Sequence, residues 1–179
     1  LIPPQHALFT LGITLRKPLV AAVHGATLAG GLGLALNSHV LIAADDAVFG
    51  LTELRIGLWP YLIFQSLAAA VGMRRAVELS LTARTFDAAE AAELGIVQQV
   101  VPRAELLERS TEIAKKLSES SAQAMSGGLA FVEQMYSLLA PQVAEIAISH
   151  RRTAQNTLDF EEGVQAFREK RTPKWPSHR

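Results

Sequence analysis

Up to about residue 110 the apolar positions come in short unbroken runs, and beyond it they recur at helical spacing. Leu19 to Val23 is one such run, closed by Gly25, and it predicts a strand buried on both faces. Gly30 to Leu36 predicts a helix with a glycine-rich start, and Val40 to Ala44, stopped by Asp45 and Asp46, predicts a second strand. Strand, helix and strand in so short a span follow the rhythm of a right-handed βαβ crossover. Val48 to Gly50 is a further short run leading into Thr52, Glu53 and Leu54, and Trp59 with Pro60 marks a loop. Tyr61 to Val71 predicts a buried helix ended by Gly72, and Ala76 to Leu81 another helical turn or two. Asp87 followed by Glu90 has the form of a capping box ahead of a helix from Ala88 to Leu94, which Gly95 stops. Ile96 to Val101 then predicts a strand ending at Pro102.

The remainder reads as helices. Leu106, Ile113, Ala114 and Leu117 share one face, with Lys115, Lys116 and Glu119 on the polar side. A second amphipathic pattern runs from Gln123 through Tyr136, and a third follows Pro141. Asp159 with Glu162 has the form of a second capping box, opening a last helix through Gln165, Phe167 and Lys170. The nearly apolar stretch from Leu19 to Leu36 reaches the length of about 18 residues at which a membrane span is considered. Gly25, Gly30, Gly31, Gly33 and His24 within it, and Asn37, Ser38 and His39 after it, break it into smaller buried elements, so no membrane span is expected.

Length and composition bound this pattern. A chain of 179 residues with 49% hydrophobic content makes one domain with a real core. Residues 1–110 are the expected α/β part, and residues 111–179 the helical C-terminal region of the same domain. Seventeen basic residues balance seventeen acidic ones, which argues against nucleic acid or an anionic membrane as a partner. A charged fraction of 19% and a mean hydropathy of +0.20 argue against disorder. Cysteine is absent, which removes disulfides, thiolate nucleophiles and cysteine zinc sites together, and a reducing cytoplasm fits. Leu1 to Gln5 carry no basic segment of a signal peptide, and a chain beginning with Leu rather than Met reads as part of a longer protein.

The glycine cluster from Gly25 to Gly33 admits several readings. Gly31 and Gly33 followed by Asp45 partly satisfy a dinucleotide-binding fingerprint, but Leu36 stands at its third glycine position. A phosphate-binding loop fails, because Gly25 and Gly30 are followed by Gly31 where lysine is required. A tight turn with close helix packing needs nothing more than the glycines themselves. A glycine pair opening a helix also exposes backbone amides suited to an oxyanion. Downstream, Glu53 stands in an apolar stretch, the setting of a general acid or base; the alternative is a strand-end carboxylate paired with Arg55. His39 reads as a helix-end residue bonded to backbone. His6, His24, His150 and His178 show no paired ligand spacing, so no metal is expected.

At this point the sequence resembles the crotonase family of enoyl-CoA hydratases and isomerases. Lys17, Pro18 and Leu19 through Gly25 are similar to its Lys-Pro strand; Ala29, Gly30 and Gly31 to its glycine triplet; Phe49, Gly50, Glu53, Gly57 and Pro60 to its second signature. Thr82, Asp87, Ala88, Ala91, Leu94, Gly95, Val97 and Val101 match a later helix-to-strand passage, and Glu162, Gly163, Phe167, Glu169, Lys170 and Arg171 the terminal helix.

The resemblance implies an α/β fold, a spiral core of ββα units with a helical C-terminal trimerisation region and its N-terminal part missing from this chain. It implies an acyl-CoA thioester as partner, with CoA carried by the substrate and no further cofactor, and a homotrimer or a dimer of trimers. Gly30 falls at one of two backbone donors to the thioester oxygen, and the other belongs to a segment ahead of this chain. Glu53 matches one of the two glutamates common in hydratases, while Gly33 stands where the other would be. Gly31, Gly33, Pro60, Phe167 and Lys170 are the implied substrate contacts, the last two at the CoA nucleotide. Tyr61, Leu62, Ile63 and Phe64 replace a glycine-rich run after Pro60, which suggests a more apolar acyl pocket. The resulting expectation is a hydratase or isomerase working through one glutamate. Its rivals are a catalytically inactive crotonase-like assembly or regulatory subunit and a nucleotide-binding domain.

Overall fold

Two small sheets carry the first half of the chain in the computed structural model, which describes residues 7–137 and 141–176. After a short helix α1 (Leu11–Thr14), β1 (Val20–Val23), β3 (Val40–Ala44) and β6 (Gln99–Val101) form one parallel sheet in the order β1-β3-β6. The second sheet has the order β2-β4-β5, with β2 (Ala26–Leu28) parallel to β4 (Val48–Gly50) and β4 antiparallel to β5 (Thr85–Asp87). The first four strands thus alternate between the sheets, and β5 stays with β4 in the second before β6 returns to the first. β1 and β2 are followed by α2 (Gly30–Ala35), and β3 and β4 by a 3-10 turn (Glu53–Ile56), α3 (Phe64–Val71) and α4 (Met73–Thr82). α5 (Ala88–Glu93) lies between β5 and β6, and a second 3-10 turn (Arg103–Glu105), α6 (Leu106–Ser118), α7 (Ala122–Ser137), α8 (Pro141–Gln155) and α9 (Leu158–Arg168) complete the order.

β3 shows why the apolar runs are continuous. Leu41 and Ala43 pack into the main core with Leu32, Phe49, Leu67 and Leu79, while Ile42 and Ala44 pack with Val101, Leu106 and Ile113 under α6. Both faces of the strand are therefore covered, as in other buried parallel strands. Among the described residues no helix is long and apolar enough to cross a membrane.

Several boundaries differ from the sequence pattern, each for a local reason. β1 and β3 do pair in parallel, but β2 leaves for the second sheet between them, so the crossover is not a plain βαβ unit. Tyr61 to Ile63 is a turn that precedes α3, closed by the Ile63 and Phe64 amides donating to the Pro60 carbonyl at 3.2 and 2.9 Å. α4 is longer than expected, and the last strand shorter, starting at Gln99. Asp87 does cap α5, its Oδ1 accepting from the Glu90 N–H at 2.8 Å, but the Glu90 carboxylate turns to Arg84. The second expected box does not form. Thr157 caps α9, accepting from the Phe160 N–H at 3.2 Å, and Asp159 sits inside the first turn.

Candidate active site

A cavity of about 240 Å³ opens beside the first turn of α2. Ala29 and Gly30 line it from one side, Glu53 from another, and the segment Leu58 to Ile63 forms a wall; Phe9 and Arg151 of α8 complete it. Gly30, Glu53 and Pro60, separated in sequence, meet here.

The end of β4 holds the first two of these together. Ala29, the residue before α2, has φ 48 and ψ −123, a conformation that costs a non-glycine residue energy unless its surroundings enforce it. They do: its N–H donates to the Gly50 carbonyl at 2.8 Å and its carbonyl accepts from the Gly33 N–H at 3.0 Å. No side chain caps α2, so its opening amides are those a helix leaves without internal partners, and Gly30 carries the first of them. Three residues after Gly50, Glu53 opens the 3-10 turn. One strand end therefore sets the position of both an amide donor and a carboxylate.

Glu53 is half-buried, and its Oε2 is enclosed without a hydrogen-bond partner among the described residues. Burial holds its carboxyl above the ordinary glutamate range, offset in part by its own backbone N–H and by the charge of Arg151. Arg55 does not pair with it. The Arg55 guanidinium instead donates through Nε to the Ala83 carbonyl at 3.0 Å, securing the end of α4. A carboxylate kept underbonded in a cavity is a group able to exchange a proton with whatever fills that cavity.

Gly33 lies beneath this site, buried, with no surface on the cavity. A Cβ there would fall 2.1 Å from Ile63 Cγ2 and 3.1 Å from the Phe9 ring. Ile63 has taken the space that a side chain at position 33 would need, so a second carboxylate there is excluded by packing as well as by sequence. Tyr61, Leu62 and Ile63 line the cavity as the apolar wall expected of them, while Phe64 turns to Trp59, ring centroids 5.6 Å apart.

Gly31, Phe167 and Lys170 stand away from the cavity. Gly31 is exposed, Phe167 is 74% exposed on α9, and Lys170 follows that helix with φ 54. His39 is a backbone-bonded residue, its Nδ1 accepting from the Leu19 N–H at 2.8 Å. His6 and His178 lie outside the described residues. Sequence reasoning missed Phe9 and Arg151. Arg151 stands next to Arg152 in what reads as a solvated helix face, and only the stacking of His150 on Tyr61, centroids 5.8 Å apart, reveals that this helix meets the cavity wall.

The fold and this site define an α/β protein of two small sheets in which, among the described residues, an amide donor and one half-buried carboxylate face one pocket. The enoyl-CoA hydratase/isomerase family model matches residues 3–178, and the chain belongs to that family. It is 37% identical over 162 residues to a probable mitochondrial enoyl-CoA hydratase of Dictyostelium discoideum, covering 90% of this chain and 58% of that protein. It is 40% identical over 169 residues to a probable enoyl-CoA hydratase of Mycobacterium tuberculosis, covering 92% of this chain and 64% of the relative. The chain thus spans about three-fifths of the length of these relatives. Among solved structures, an enoyl-CoA hydratase from Mycobacterium avium subsp. paratuberculosis superposes with a TM-score of 0.88 at 28% identity, over 96% of this chain and 70% of that one.

Proposed function

We infer that the protein containing this chain is an acyl-CoA hydratase or isomerase in which Glu53 moves the proton and the Gly30 N–H supports the thioester oxygen. The observation that carries this reading is the underbonded Glu53 carboxylate sharing a cavity with the uncapped start of α2. Removing a proton from the acyl chain sends its electron pair toward the thioester oxygen, where an amide donor is worth most. Returning the proton at a different carbon moves the double bond; in hydration Glu53 instead takes a proton from the water that adds at C3 and returns it at C2, and the β-hydroxy enolate between these steps draws on the same amide donor. One carboxylate serves either course, and the Gly33–Ile63 contact favours chemistry that needs no second one.

CoA enters as part of the substrate, with no further cofactor, and the working unit is a homotrimer or a dimer of trimers in the cytoplasm. Leu107, Phe131 and Val132, 75, 61 and 43% exposed, supply apolar surface for such an assembly. Phe167 and Lys170 lie on the outer surface, so their contact with the CoA nucleotide would be made outside the acyl cavity.

The test is turnover of enoyl-CoA thioesters by the full-length protein against its Glu53→Gln variant. A loss of about 10²–10⁴ in kcat, with KM little changed, is the expected result. The rising limb of the wild-type pH profile should lie above the ordinary glutamate range, because burial raises that carboxyl. Equal turnover by the variant would remove Glu53 from the mechanism.

A further inference from the structure

Arg151 is the cationic side chain among the described residues lining the cavity, and the reaction just described does not use it. It reaches the cavity from α8 and lines it together with Leu58, Trp59, Leu62 and Ile63. The ion pairs formed among the described residues do not include it. Its position is held by its neighbour: His150 stacks on Tyr61, which is itself part of the wall. A guanidinium without an ion-pair partner in a pocket lined mainly by apolar side chains calls for a planar anion that can take two of its N–H groups at once. Glu53 is near enough to feel its charge but forms no ion pair with it, and Glu53 loses its own charge whenever it holds the substrate proton. A hydrocarbon tail in this pocket would leave the guanidinium desolvated and unpaired, at a cost.

We propose that Arg151 is a specificity-determining residue that binds a carboxylate at the far end of a short acyl group, so that the preferred substrate is a carboxylated enoyl-CoA. The inference rests on the proposed acyl-CoA reading of the same site. Arg151 lines the same cavity as Glu53 and Gly30 and lies close enough to Glu53 for its charge to act on that carboxyl, so an anion meeting it belongs on a short acyl group.

The experiment compares glutaconyl-CoA with pentenoyl-CoA, a neutral substrate of equal carbon count, on the full-length protein and on Arg151→Leu and Arg151→Lys. Wild type should prefer the carboxylated substrate by at least about tenfold in kcat/KM. Arg151→Leu should abolish that preference, mainly through KM, and Arg151→Lys should restore part of it, since lysine keeps the charge and loses the bidentate geometry. Calorimetric binding of the unreactive glutaryl-CoA and valeryl-CoA separates this proposal from the reaction itself. If neither enoyl substrate turns over but glutaryl-CoA still binds more tightly in an Arg151-dependent way, the carboxylate site stands and the reaction assignment fails. If wild type shows no preference in turnover or binding, or if Arg151→Leu, folded by its circular dichroism and melting curve, weakens both ligands equally, the carboxylate site is overturned.

Discussion

Glu53 and Glu162 sit on elements packed against each other, yet their surroundings are opposite. Glu162 is bonded on every side: both carboxylate oxygens accept from Arg171, at 2.6 and 3.0 Å, and Oε1 also accepts from the Lys174 N–H at 2.6 Å. Arg171 and that amide push its carboxyl down to about 2. Glu53, on the 3-10 turn beneath, has an oxygen enclosed without a partner and a carboxyl shifted upward by burial. The same residue type is satisfied where it fastens the terminal segment and left wanting where a ligand would complete it. Unmet bonding is tolerable at a site only because neighbouring elements are well bonded.

The contact between the two regions is where this contrast is most easily broken. Gly163, next to Glu162, lies so close to the 3-10 turn that a Cβ would fall 2.5 Å from the backbone carbon and oxygen of Ile56. Gly57 ends that turn with φ 71, and a Cβ there would fall 3.0 Å from the Asp159 carbonyl oxygen. Gly163→Ala must push α9 off the turn that carries Glu53. The expected cost is about 1–3 kcal/mol, the usual range for overpacking, or roughly 2–12 °C in Tm for a chain of this size. Activity should fall with it, and a melting curve beside a turnover assay reads both. A variant as stable and active as wild type would show that the two regions are independent.

Glu162→Gln tests the satisfied half with a smaller effect. A carboxyl whose folded pKa is depressed contributes stability above the ordinary glutamate range and loses it as the pH falls toward about 2. The variant should therefore melt below wild type at pH 7, by less than Gly163→Ala does. The difference should shrink below about pH 4.3 and vanish near pH 2. A difference that persists unchanged into acid would mean that Glu162 acts by packing and not by charge.

How far the sequence announces these features depends on whether each is local. β3 is legible to the residue, since five apolar positions bounded by two aspartates leave one reading. β2 and β5 are not, because each is three residues long and exists through its pairing with β4. The stretch from Tyr61 to Ile63 is apolar because it lines a cavity, and it was indistinguishable from the apolar start of a buried helix. Glu53 is legible as an acid among apolar neighbours, and Gly33 as a departure from the family pattern. Ile63, which fills the space above Gly33 from thirty positions away, could not be matched to it without the fold. Arg151 was hidden for the same reason, since a cation on an amphipathic helix carries no sign of what it will face.

The smallest effect has the opposite sign, and it follows from Glu53 alone. Where burial raises a carboxyl, the folded protein carries an ionised group at a cost at every pH above that raised value, and the cost disappears below the ordinary glutamate range, where both folded and unfolded chains hold the proton. Glutamine at this position keeps the shape and removes the charge. Glu53→Gln should thus melt slightly above wild type at pH 7 to 8, by up to about 1 kcal/mol or roughly 2–4 °C, given the partial exposure of the group. At pH 4 the two proteins should melt together. Paired with Glu162→Gln, the measurement gives two isosteric changes of one residue type with opposite signs at neutral pH. A lower Tm for Glu53→Gln at neutral pH would mean that the carboxylate is held by bonds that stabilise the fold, and its place as the group kept underbonded for proton transfer would fall with that result.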